Sequence, residues 1–203
     1  MKKKISVNII KNDRYLRNKF VFDKWIKSLN INNILDIGCS DNYMKMIHDN
    51  VIGIDINGSP DIIFDLEKGN IPIKENSFDC IICLDVLEHV DNLHEVLDQF
   101  LLISKKYIIL SFPNELRFLN LIRYVYKTNN REFGFFPRNR HKWFISYSQS
   151  KTFIRNFAKK NNLIIINDYT NLGYKSKFLF KIIKNKFPNI LPHGYYVILK
   201  KKI

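Results

Sequence analysis

No G-x-G-x-x-G loop occurs anywhere in this chain; the run after Gly38 is Cys39-Ser40-Asp41-Asn42-Tyr43. That argues against a pyrophosphate held at a helix N-terminus, whereas a cofactor without phosphates tolerates the loss. Cysteine is scarce too, at three residues. Cys80 and Cys83 form a C-x-x-C, but they sit in one apolar run, where strand alternation sends residues three apart to opposite faces. With no second pair, no zinc site is expected, and buried strand thiols are the better reading. No apolar run is long enough to span a bilayer. The opening MKKKISVNII is too short and too interrupted for a secretion signal, so a cytoplasmic protein is expected. Internal repeats and low-complexity linkers are also missing. With 46% hydrophobic residues, the 203-residue chain is expected to fold as one domain, residues 1–203.

Acidic residues are few, 19 against 33 basic, for a net charge of +14. Abundant Asn, Lys and Ile suggest an AT-rich coding bias, but the distribution carries more information than the sum. Residues 1–35 hold 9 basic and 2 acidic side chains, residues 36–100 hold 3 and 14, and residues 101–203 hold 21 and 3. An acidic middle suits a cationic cofactor, and a basic half opposite it would attract an anionic acceptor.

What is present is an alternation of short apolar runs and amphipathic stretches. Strands are expected near 33–37, 51–55, 62–64, 79–84, 106–112, 163–169 and 194–200. Helices are expected over about 15–29, with Phe20, Trp25, Ile26 and Leu29 buried, and near 41–49, 92–103, 115–127, 149–161 and 176–187. Such alternation gives a parallel sheet covered on both faces. Ile34 to Asn42, ILDIGCSDN, is a strand ending in Asp-x-Gly, and Gly38 permits a sharp turn and a close backbone approach. Val51 to Ile56 closes a second strand on Asp55, at the spacing where a carboxylate accepts ribose hydroxyls at the carboxyl edge of an open sheet.

Taken in order, ILDIGCS, GIDI, FDLEKGNIP, NSFDCIICLDVLEHV and YIILSFPN resemble the class I S-adenosylmethionine-dependent methyltransferases, in particular their type 11 small-molecule branch. The resemblance covers about residues 31–114. It implies an α/β, Rossmann-like, seven-stranded and mostly parallel sheet with an antiparallel C-terminal edge strand and helices on both faces. It also implies S-adenosylmethionine as cofactor. Asp36, Gly38, Cys39 and Ser40 would line its methionine and ribose part, Asp55 would hold the ribose diol and Ile56 would pack on adenine. Asp65 and Leu66 would meet the adenine edge, and Leu84 would sit near the sulfonium. Asn42 stands where the family commonly has glycine. Asp55 and Asp65 can each be read instead as a cap on the following helix.

Transfer to a hydroxyl needs a base, and His89 and His141 are the candidates; His48, His94 and His193 are expected to be bystanders. Asp85-x-x-Glu88-His89 resembles the Glu-x-x-Glu-His run of the ubiquinone-pathway O-methyltransferases, which is associated with a divalent ion. Aspartate replaces the first glutamate here, and no metal is expected. Residues 113–147 read as an insertion covering the acceptor, with Arg138 and Arg140 able to pair with phosphate or carboxylate and His141 and Trp143 flanking the reacting group, or else as a loop whose aromatics plug the sheet edge. Residues 174–190 read as a basic amphipathic insertion. This segment and Leu116 to Lys127 either pack on the domain or lie on an anionic membrane.

The expected activity is methyl transfer to an oxygen of a small, polar, anionic acceptor such as a sugar, a nucleotide-sugar or a lipid-linked intermediate. RNA is the alternative acceptor, less favoured because Ser111-Phe112-Pro113-Asn114 is not the Asn-Pro-Pro-aromatic run of base amino-group methylation. A catalytically degenerate S-adenosylmethionine-binding module is the non-enzymatic alternative.

Overall fold

The computed structural model describes residues 6–8, 14–126, 141–172 and 176–202. Eight strands form one sheet: β1 (Ser6–Asn8), β2 (Ile34–Ile37), β3 (Val51–Asp55), β4 (Ile62–Ile63), β5 (Phe78–Leu84), β6 (Ser104–Pro113), β7 (Leu163–Leu172) and β8 (Pro192–Lys201). Their order is β1-β7-β8-β6-β5-β2-β3-β4. The seven expected strands are all present, and the short β1 adds an eighth, pairing parallel with β7. Strand β8 is antiparallel to both of its neighbours, β6 and β7. The remaining pairs are parallel, which sets the carboxyl ends of β2, β3, β5 and β6 along one edge.

Strand alternation divides the interior into two cores. On one face Leu35, Ile37, Ile81, Cys83, Ile108 and Leu110 pack with helix α2 (Leu93–Ile103) and helix α4 (Tyr147–Lys160). The other face, with Ile34, Cys80, Ile82, Ile109 and Ile198, is covered by helix α1 (Arg14–Val21) and a π-helical turn, Phe22–Ile26. Each fully buried aliphatic side chain contributes about 1.5–3 kcal/mol. Cys80 and Cys83 fall in different cores, as period-2 alternation requires, and both are free. From the first expected helix, Trp25 and Ile26 are buried, while Phe20 and Leu29 pack partly against the same core.

The helix expected over 41–49 does not form. Residues 40–47 are successive turns, because Ser40 and Asn42 both take left-handed backbone angles (φ 53° and 55°). Asn42 spends its side chain on the Ser59 carbonyl at 2.7 Å, which holds the segment against the next loop. Helices α3 (Phe118–Tyr126) and α5 (Ser176–Ile183) complete the fold; among the described residues no helix is long and apolar enough to cross a membrane.

Buried Asn114 pins the carboxyl edge. Its amide donates to the carbonyls of Asn189 (2.6 Å) and Pro192 (2.7 Å), and its oxygen accepts from the Tyr147 N–H at 3.1 Å, starting α4. Asn114→Ala strands two carbonyls and an N–H, so urea unfolding should show a loss of roughly 2–4 kcal/mol. A loss within measurement error would mean that these bonds do not hold the edge together.

Candidate functional site

The loops after β2 and β3 are built against each other. Gly38 turns the chain at φ +78°, and its N–H and that of Cys39 both donate to the Ile54 carbonyl, at 2.7 and 3.3 Å. A Cβ on Gly38 would lie 2.1 Å from Val86 Cγ2, so glycine is what lets the turn after β5 close over this loop. Asp55 accepts the Ser40 N–H on Oδ2 (2.8 Å) and the Asn57 N–H on Oδ1 (3.0 Å). Each oxygen keeps further acceptor capacity, which a diol could use. Ile56, next to it, is half exposed.

Asp36 is buried, 3% exposed, and its Oδ2 has no hydrogen-bond partner among the described residues. Burial, and secondarily the charge of Asp55, pushes its pKa up to about 7. The Cys39 thiol is pushed up to about 12 by burial, then by Asp36 and Asp55, so it remains protonated. An orphaned buried carboxylate with a second acid on the neighbouring strand tip fits a ligand that brings positive charge and hydroxyl groups. The residues present therefore suit an aminoacyl nucleoside of the S-adenosylmethionine kind.

Asp65 is engaged locally: Oδ1 accepts the Glu67 N–H at 3.0 Å and Oδ2 lies 4.0 Å from Lys68 Nζ. Leu66 is a core residue whose carbonyl accepts from Asn92 Nδ2 at 3.0 Å. Leu84 is partly buried at the end of β5.

Beyond Leu84 the chain turns through Asp85, in a left-handed conformation (φ 54°), and a short 3₁₀ turn, Leu87–His89. Asp85 ion-pairs with Arg17 of α1 and accepts from Ser111 Oγ at 2.5 Å. Burial opposes the Arg17 charge, but Asp85, Tyr196 and Glu88 outweigh it and hold the guanidinium pKa raised. Glu88 is buried, and burial, followed by the charge of Asp85, raises its carboxyl well above the ordinary range. The segment that follows residue 140 folds onto this turn. His141 Nδ1 lies 2.7 Å from Glu115 Oε1 and its Nε2 lies 4.0 Å from Glu88 Oε1, while the His89 and His141 rings meet edge to face at 4.7 Å. Lys142 N–H donates to the Glu88 carbonyl at 2.8 Å, and Trp143 Nε1 to the Val90 carbonyl at 2.6 Å.

The structure thus brings both candidate histidines together. One ligand atom from each of Glu88, His89 and His141 lies within 4.8 Å of the others, a donor set that a divalent cation could use although the sequence reading expected no metal. Arg138 and Arg140 lie outside the described residues. His48 bonds the Asn32 carbonyl at 2.9 Å, His94 contacts Phe153, and His193 is held neutral, its pKa lowered to about 4 by burial and by Arg117.

Two participants escaped the sequence reading. Glu115 is one of only three acids after residue 100, an isolated carboxylate in a strongly basic half, and that isolation was the available signal. Arg17 had no such mark, since its pairing with Asp85 spans 68 positions.

A family model described as a methyltransferase domain matches residues 14–166. A search of curated protein sequences finds no match. Among solved structures, magnesium protoporphyrin IX methyltransferase from Synechocystis PCC 6803 with bound SAH superposes at a TM-score of 0.60 and 15% identity, covering 93% of this chain and 83% of that one. A Thermotoga maritima S-adenosylmethionine-dependent methyltransferase, described as a possible histamine N-methyltransferase, gives 0.58 and 19%, covering 93% and 89%. The plantazolicin methyltransferase BpumL in complex with SAH gives 0.57 and 15%, covering 93% and 84%.

The raised pKa of Asp36 has a thermodynamic consequence. Its stabilising contribution is full below the unfolded value of 3.8 and is lost as pH rises through about 7. Urea unfolding at acid and alkaline pH should therefore show Asp36→Asn gaining stability over the parent protein as pH rises, in the absence of ligand. An equal stability difference at both ends would show that Asp36 does not titrate in this range.

Proposed function

Since the chain belongs to the methyltransferase-domain family, we propose that it transfers a methyl group from S-adenosylmethionine to an oxygen of a small, polar, anionic acceptor, such as a sugar, a nucleotide-sugar or a lipid-linked intermediate. The bound cofactor supplies an activated methyl group on a sulfonium, already a good leaving group. The protein must therefore align the acceptor and take up its proton. Asp55 receives the ribose hydroxyls, Ile56 packs on the adenine, the Asp65 carboxylate and the Leu66 backbone meet the adenine edge, and Asp36 with residues 38–40 takes the aminoacyl end.

The observation that carries the oxygen acceptor is the Glu115–His141 pair at 2.7 Å. Donation of the Nδ1 proton to a carboxylate fixes the tautomer and leaves Nε2 basic, the arrangement that removes a hydroxyl proton near neutral pH. Glu115 is thus a positioning residue and His141 the base, with His89 walling the same space. The basic C-terminal half, including Arg138 and Arg140, selects the acceptor's negative charge.

His141→Ala should lower kcat by roughly 10²–10⁴-fold while leaving cofactor affinity intact. Glu115→Gln should cost less and displace the pH–rate profile; full activity in His141→Ala would remove the base assignment. Asp55→Ala should weaken S-adenosylmethionine binding at least about tenfold, or about 1.4 kcal/mol, by isothermal titration. An unchanged affinity contradicts the ribose contact.

A second reading rests on the Glu88, His89 and His141 donor set, in which a divalent cation rather than the His141 imidazole would activate the hydroxyl. Activity lost to a chelator and restored by added cation selects this reading. Activity indifferent to chelator selects proton abstraction.

A further inference from the structure

Helices α3 and α5 differ from the packed helices of this fold. Helix α2 buries Val96, Leu97, Phe100 and Ile103, and α4 buries five residues, but none of the described side chains of α3 or α5 is buried. Several of their described apolar side chains face outward instead: Val125 and Tyr126 of α3 are 77% and 82% exposed, and Phe178 and Ile182 of α5 are 77% and 64% exposed. Single exposed apolar residues are ordinary on a protein surface, but clusters on two elements at one edge mark a contact site.

Both helices leave the same edge of the sheet. Helix α3 follows the carboxyl end of β6, and α5 joins the carboxyl end of β7 to the start of β8; Pro113 pairs with Gly194 and Leu172 with Pro192. The Phe118 N–H donates to the Ile190 carbonyl at 2.8 Å, tying the start of α3 to the chain just beyond α5. That edge also carries the Asp55 loop, the 85–89 turn and Glu115. The charge of the two segments is of one sign. Leu116 to Lys127 and Lys175 to Phe187 contain eight basic residues and no acid, and Lys181 and Lys186 are exposed beside Ile182 and Phe187.

From this juxtaposition we propose that α3 and α5 together dock the active-site edge onto an anionic lipid bilayer. The exposed aromatic and aliphatic side chains enter the headgroup boundary, and the exposed lysines pair with lipid phosphates. A protein partner or a second copy of this chain would use the apolar groups, whereas an anionic bilayer uses them together with the exposed Lys181 and Lys186 in two segments whose sequence carries no acid, so the bilayer is the occupant that uses both features. Docking does not depend on the acceptor proposed above. Given that reading, it would bring the His141 site to an acceptor carried by lipid.

The test uses the full chain with sedimentable vesicles of phosphatidylcholine, with and without about one-third phosphatidylglycerol. The protein should pellet with the anionic vesicles alone, and binding should fall severalfold between about 0.1 and about 0.5 M salt. The double variants Ile122→Glu/Val125→Glu and Phe178→Glu/Ile182→Glu should each reduce binding at least about tenfold. Titration with S-adenosylmethionine is the fold control, and retained cofactor binding makes the loss specific to the surface. Equal recovery in the supernatant with either vesicle overturns the proposal. So does vesicle binding that survives both variants, and so does a dimer of the parent protein, seen by light scattering, that the same variants dissociate without affecting vesicle binding. None of these outcomes touches methyl transfer to a soluble acceptor, which is assayed separately.

Discussion

A carboxylate with no partner among the described residues for one of its oxygens, buried near the end of β2, is the constraint around which this molecule is arranged. Desolvating Asp36 next to Asp55 is unfavourable for the ionised form. In a sheet that pairs β2 with β3 and β5, Asp36 and Asp55 stand on adjacent strands near one edge. A ligand carrying positive charge would relieve that cost, which is the basis for the proposed role of Asp36 in cofactor binding. The neighbouring Cys39 stays neutral for the same reason and offers no competing nucleophile.

The rest of the site is layered on that point. The Ile54 carbonyl and the Asp55 carboxylate together take three N–H groups from Gly38, Cys39 and Ser40, so the first loop is shaped by the second strand rather than by a helix of its own. Val86 closes over Gly38, and from Val86 it is only three residues to His89. The loop after β2 and the histidine cluster are therefore one continuous construction, braced from outside by the Arg17–Asp85 pair and from the C-terminal side by Glu115 and Lys142.

The strands were legible because their signal is local. Buried parallel strands read as short apolar runs, and the ends of β2, β3 and β5 stand within a residue or two of where alternation places them. The segment after Asn42 misled because its apolar spacing resembles a helix, while two left-handed residues and the reach of Asn42 to Ser59 are tertiary facts that spacing does not carry. The ordered motifs around Asp36, Gly38 and Asp55 pointed to a nucleoside crevice, but which groups each acid would satisfy within the protein was not readable, among them the Glu67 N–H that Asp65 accepts. Glu115 and Arg17 act across long sequence separations, where composition gives at most a hint. The amphipathic segments were visible as patterns, but whether their apolar faces lay inward or outward depended on packing.

The central claim is that Asp36 answers a cationic ligand. Carbon-13 NMR of the aspartate carboxyls, followed through a pH titration, reads this group directly. Its pKa should stand near 7 in the free protein and fall by more than one unit on saturation with S-adenosylmethionine, about a tenfold coupling. A titration curve for Asp36 that does not move when the cofactor binds would contradict the account.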